Sequence, residues 1–119
     1  EAHILNTYLK GVTRGTLYLG LYTDAVEPDE TATLATITEV PVARIIINNA
    51  DVTVVNDLAT IAQKAFTATA AWGNVTGYFI CNISTGTWGT LILVEHFSDG
   101  PYNVETGQIV KVTPSCLAA

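Results

Sequence analysis

Residues 16–23, TLYLGLYT, set Leu17, Leu19 and Leu21 at every second position, with Tyr18, Gly20 and Tyr22 between them. Successive side chains on a strand point to opposite faces, so the segment reads as a strand with a leucine face and a tyrosine face. The leucines belong to the core of the domain. What covers the tyrosines is the question that the rest of the chain must answer.

The same two-sidedness recurs. In 74–82, Val75, Phe79 and Cys81 alternate with Tyr78 and Ile80; in 89–97, Leu91, Leu93 and Phe97 alternate with Ile92 and Val94. In 42–48, Ile45 and Ile47 alternate with Val42 and Ile46. An antiparallel sheet ordinarily buries one face and wets the other. Apolar residues on a second face therefore meet either the chain's own helix and long loops or a partner. Tyr tolerates a half-wet contact and is enriched at interfaces. On that ground Tyr18, Tyr22, Tyr78, Ile80, Ile92 and Val94 form the candidate protein interface.

Around these strands the pattern is punctuated throughout. Ile4, Leu5, Tyr8 and Leu9 sit at helical spacing, with Val12 continuing the face and Gly11 and Gly15 as stop signals, which predicts a short amphipathic helix over 2–10. Strands are expected over 16–22, 42–48 (just after Pro41), 52–55, 60–68, 74–82, 89–97 and 108–113, with CLA as a last edge strand. The pair 74–82 and 89–97 reads as an antiparallel hairpin closed by ISTGTW. The segments 24–33 and SDGPYN read as an acidic loop and a turn. Six to eight short strands with one terminal helix predict a mainly β fold, an antiparallel β-sandwich or barrel, in a single domain over 1–119.

Only 13% of the 119 residues are charged, while 49% are hydrophobic; soluble domains usually carry about 25% charged residues. A surface so poor in charge is made of Thr, Asn, Ser, Gly and exposed apolar groups, or is partly hidden in an assembly; a homo-oligomer is the expectation. The net charge is −6, and the five basic residues Lys10, Arg14, Arg44, Lys64 and Lys111 form no run. Nucleic acid and anionic membrane are both disfavoured as partners, because each needs clustered cations. No apolar stretch reaches a bilayer span, and the N-terminus lacks the charged and hydrophobic regions of a signal peptide.

No catalytic pattern emerges. His3 and His96 have no triad-like neighbours, and Ser84, Ser98 and Ser115 lie in turns without an obvious base. Cys81 and Cys116 lack zinc or redox spacing and read as small buried hydrophobes, with a disulfide as the alternative. Asp24, Glu27, Asp29 and Glu30 are the one carboxylate cluster; without EF-hand spacing it reads as a solvated loop. Asn74-Val75-Thr76 and Asn82-Ile83-Ser84 match the glycosylation acceptor pattern, as chance allows in a chain rich in Asn, Thr and Ser. Trp72 and Trp88, with Tyr78 and Tyr102, offer rings on which a sugar could stack, although Trp72 before Gly73 reads better as a core anchor. No enzyme activity, cofactor or metal is expected.

The order of segments carries a resemblance. The run LYLGLYTDAV, then Glu39-Val40 and Ala43-Arg44, then Phe66, Ala70 and Trp72-Gly73, and finally Gly107, resembles a family of small bacteriophage virion proteins, often labelled tail-fibre-like or found near head genes. Where that family has a glycine-rich turn and an aromatic before the Ala-Arg step, this chain has Pro41 and Val42. The resemblance implies no catalytic residues. It implies a structural role in the virion, with the major capsid protein or tail proteins as partners: a capsid decoration or cement protein, or alternatively a tail-fibre or receptor-adhesion module. A secreted carbohydrate-binding module is the alternative of another class.

Overall fold

The computed structural model describes residues 16–26, 28, 32–55, 58–97 and 100–117. The helix expected over 2–10 lies outside the described residues. In chain order the strands are β1 (Leu17–Tyr22), β2 (Ile45–Ile47), β3 (Val52–Val55), β4 (Leu58–Ile61), β5 (Lys64–Thr67) and β6 (Gly73–Val75). They continue with β7 (Gly77–Cys81), β8 (Leu91–His96), β9 (Tyr102–Val104), β10 (Ile109–Val112) and β11 (Ser115–Leu117). The protein is mainly β, and all of these strands pair antiparallel.

Four strands form one sheet in the order β2-β1-β7-β8. The expected hairpin is its β7–β8 pair. Register corrects the division of faces. Ile80 stands opposite Leu19 and Tyr78 opposite Leu21, whereas Phe79 faces Gly20 and Cys81 faces Tyr18. Directly opposed residues share a face. Tyr78 and Ile80 therefore belong with the leucines, not with Tyr18 and Tyr22. Both faces of β7 are apolar, so alternation alone could not choose between them. An irregularity between Ile80 and Cys81 shifts the β8 pairing from Leu93 to Leu91 and leaves Ile92 as the extra residue. Ile92 and Leu93 both pack toward the leucine side, while Leu91 and Val94 pack on the tyrosine side.

The remaining strands form three small sheets, β11-β4-β3, β10-β5 and β6-β9, that follow one another as an interrupted ribbon. One side runs β4, β5, β6; the other runs β11, β10, β9. The single strand expected over 60–68 is thus two strands, and Tyr102 and Asn103, read as part of the turn SDGPYN, belong to β9, while residues 98 and 99 lie outside the described residues. From Thr60↔Ser115 to Lys64↔Val112 the first side advances four residues and the second three. From Thr67↔Ile109 to Gly73↔Val104 the advance is six against five. Each break is a one-residue slip of register, with bonds closing across it: Ile61 N–H donates to Pro114 O at 2.8 Å, and Ala68 N–H to Gln108 O at 2.8 Å. β3 adds a third strand beyond β4.

Thr76 is where ribbon becomes sheet. β6 pairs with β9, yet β7, one residue further on, pairs with β1 and β8. At the switch Thr76 N–H donates to Tyr22 O at 3.0 Å, its hydroxyl donates to Asp24 O at 2.6 Å, and its carbonyl accepts from Phe97 N–H at 2.9 Å. A buried polar residue that changes partners is tolerated because its polar groups are occupied.

The main core lies between the leucine face and the ribbon. Leu17, Leu19, Leu21, Ile47 and Ile80 meet Ile61, Phe66, Trp72, Val104 and Val112 there. On the opposite face a smaller cluster joins Tyr22, Phe79 and Cys81 to Leu34 and Ile37, with Tyr18 and Val94 half-buried at its rim. Its cover is the segment 32–40. That segment is pinned to β1 by Thr23 N–H to Thr38 O and Val40 N–H to Leu21 O, both at 2.9 Å. The chain itself thus covers the Tyr22 and Phe79 part of the tyrosine face, while Ile46, opposite Tyr18, stays exposed.

Candidate functional site

The tyrosine face explains what its residues are for. Gly20 carries no side chain because the Phe79 ring occupies that space; a Cβ there would overlap the ring. Tyr22 is fully buried, and its hydroxyl lies 2.7 Å from His96 Nδ1, in a bond that ties β1 to the end of β8. His96 in turn lines a cleft of about 300 Å³ with Thr23, Asn74 and Pro101. Asp24, first of the acidic cluster, accepts from Thr38 N–H at 2.8 Å and from the Thr38 hydroxyl at 3.1 Å. Among the described residues, no three His, Cys, Asp or Glu side chains are grouped to hold a metal.

Beside Phe79 sits the densest polar construction among the described residues. The Arg44 side chain is 2% exposed. It makes a two-pronged bond to Glu39, Nε to Oε2 at 2.8 Å and Nη2 to Oε1 at 2.7 Å. Its guanidinium also donates to the carbonyls of Ile83 at 3.0 Å and Gly86 at 2.9 Å, and lies 5.4 Å from the centre of the Phe79 ring. A planar fork with five donors suits this geometry where a lysine would not. The Glu39 bonds raise the Arg44 pKa above its ordinary value, against the opposing effect of burial. The Cys81 thiol is free, buried and 3.3 Å from Ile83 O, and burial pushes its pKa up. A desolvated thiol is a poor nucleophile.

The consequence is a fixed loop between β7 and β8. Arg44 holds it from below. Asn82 closes its base, with Thr90 N–H donating to Asn82 Oδ1 at 2.6 Å. Gly86 adopts φ +88°, a conformation that favours glycine, and the indole of Trp88 packs near it. At Gly89 a Cβ would overlap Ile83. On this loop Trp88 stands 85% exposed.

A second apolar feature lies on the ribbon. Where β9 turns into β10, an open groove of about 530 Å³ is lined by Tyr102, Val104, Gln108, Ile109, Val110 and Lys111. Ile109 is 55% exposed there. Lys111 makes no ion pair among the described residues, where the pairs are Arg44–Glu39 and Lys64–Asp51.

The six residues proposed from sequence do not form one patch. Tyr22, Tyr78 and Ile80 are buried in the chain's own interior and cannot meet a partner in this folded state. Tyr18 and Val94 are half-buried on the small cluster, and Ile92 half-buried on the main core. Trp72 is the expected core anchor, although its Nε1 has no hydrogen-bond partner among the described residues. Sequence reading missed the Arg44–Glu39 clamp, the Trp88 platform and the β9–β10 groove. The available signal was an isolated Glu and Arg five residues apart in a charge-poor chain, and a Trp between Gly86 and Gly89. Comparison with protein-family models, with curated proteins and with solved structures finds no match for this chain.

Proposed function

We propose that this chain is a non-enzymatic structural subunit of a bacteriophage virion, a β-sandwich that decorates or cements the capsid and acts through protein contacts. The resemblance supports the virion assignment, and the single core shared by the four-stranded sheet and the ribbon strands supports the sandwich reading. The observation that carries the interfacial role is Trp88, a large indole left in solvent on a loop held by a buried arginine. An anchor ordered before binding loses little conformational freedom on contact, and tryptophan dominates contact energetics where it is desolvated. A charge content of 13% fits a surface meant to be covered.

Contact across a shell is repeated many times, so each one can be weak. At about 25 cal/mol per Å² of apolar area, burying one exposed indole supplies a few kcal/mol before association costs are subtracted. The test is to mix the purified protein separately with emptied capsids and with host cells and to pellet each. Binding to capsids is expected. Binding to cells alone would replace this reading with that of a tail-borne adhesion module, and protection of tryptophan fluorescence by glycans, without either, with that of a sugar-binding module.

A further inference from the structure

We infer that Trp88 of one copy seats in the β9–β10 groove of a second copy, giving a head-to-tail self-contact. The inference deepens the structural-subunit reading and rests on it for its biological setting. It rests on three features of the molecule.

The first is shape. Trp88 projects from a rigid loop, and the groove is a concavity of about 530 Å³, roomy enough for an indole. The second is chemistry. The groove offers the exposed Ile109 and the outward part of Tyr102, whose ring also packs edge-on against Phe97 at 5.2 Å, with Lys111 at its side. An ammonium within about 6 Å of an indole face is attracted to it, and Trp is the best acceptor of such contacts. The third is charge. The loop 82–90, NISTGTWGT, carries no ionisable side chain. A chain of net charge −6 repels its own copies, and this loop is a segment that can approach without adding to that repulsion.

Knob and groove are different patches, so the contact is heterologous: each copy keeps a free knob at one end and a free groove at the other. Such contacts close into rings or propagate, according to the rotation between copies. One indole in one groove buries far less than the roughly 1,200–2,000 Å² of a stable interface. Association in free solution is therefore weak and rises with concentration.

Sedimentation velocity of the full chain over a wide concentration range tests this, with wild type, Trp88→Ala, Ile109→Glu and an equimolar mixture of the two variants. Trp88 and Ile109 are both exposed, and circular dichroism establishes that each variant is folded; Ile109→Ser serves if the glutamate disturbs the ribbon. Wild type is expected to associate, and each variant alone to lose at least tenfold in association constant. The mixture should regain a dimer and nothing larger, because it contains one intact knob and one intact groove. Variants that associate like wild type would overturn this contact while leaving self-association standing. A mixture that stays monomeric would overturn the pairing of knob with groove. A wild type that stays monomeric at every concentration would overturn the inference too, and capsid pelleting would then judge the structural-subunit reading on its own.

Discussion

The two faces of the β2-β1-β7-β8 sheet are covered by different means, the leucine face fully and the tyrosine face except toward its β2 edge, where Ile46 opposite Tyr18 is 44% exposed. The leucine face shares one core with residues of the ribbon strands, and that core is almost wholly aliphatic and aromatic. The tyrosine face meets an irregular segment with two large apolar residues, Leu34 and Ile37, and needs specific bonds as well as burial. There Tyr22 reaches His96, Asp24 holds Thr38, and Arg44 gathers Glu39, Ile83 and Gly86. Apolar area can hold two regular layers together in many arrangements. A loop laid on a sheet has too little area for that, and directional hydrogen bonds select one arrangement.

The largest effect expected from this contrast is on the leucine face. Leu19→Asp places an unpaired carboxylate in the main core and should cost more than about 4 kcal/mol, enough to unfold a chain of ordinary stability. Tyr18→Asp, at the rim of the small cluster, should leave a cooperative urea transition. Equal unfolding of both variants would erase the distinction between the faces.

Next comes the clamp. Arg44→Ala removes the guanidinium from Glu39 and from the Gly86 and Ile83 carbonyls, the last keeping the weak Cys81 thiol, for an expected loss of about 2–4 kcal/mol. The β7–β8 loop should become a protease site in that variant while the leucine core persists. A loss below about 0.5 kcal/mol with an uncut loop would mean that other contacts hold it.

Tyr22→Phe removes the hydroxyl that bonds His96 on the small face. Removing the hydroxyl should lower stability by about 1 kcal/mol in chemical denaturation, with the ring still packed. A stability equal to wild type would show that the bond to His96 contributes only geometry.

The smallest effect belongs to an ion pair on the ribbon side, between Asp51 and Lys64, with Nζ 2.9 Å from Oδ2. The Asn48 backbone N–H, and after it Lys64, hold the Asp51 pKa below its ordinary value. A carboxylate lowered on folding contributes stability above its unfolded pKa, near 3.9, and that contribution fades as pH falls through the lower folded value. Both side chains are partly exposed, so Asp51→Asn should cost under about 1 kcal/mol at neutral pH, and the two proteins should converge in acid. A gap that widens in acid would contradict the sign of the shift.

The regular half of this comparison was legible in the sequence. Alternation placed Leu17, Leu19 and Leu21 inward, and turn residues marked the β7–β8 hairpin. The irregular half was not. The cover of the tyrosine face comes from Leu34 and Ile37 in a threonine-rich segment without strand or helix period. Arg44 finds two acceptors in a loop about forty residues away, which no local spacing announces. Face assignment failed at Tyr78 and Ile80 because a strand apolar on both sides reads alike in either orientation. Trp88 was visible as a residue but not as an exposed one, since its exposure is set by Gly86, Gly89 and a distant arginine.

The two slips along the ribbon have a kinetic meaning. A plain two-stranded ribbon that slides by two residues returns every side chain to its own face, so alternation offers no defence against that error. Here each slip is a detent. Sliding would carry the N–H groups of Ile61, Ala68 and Trp72 away from the carbonyls of Pro114, Gln108 and Val104 that accept them. Both detents would have to release together, which makes a misregistered ribbon recognisable as wrong while the chain is still folding.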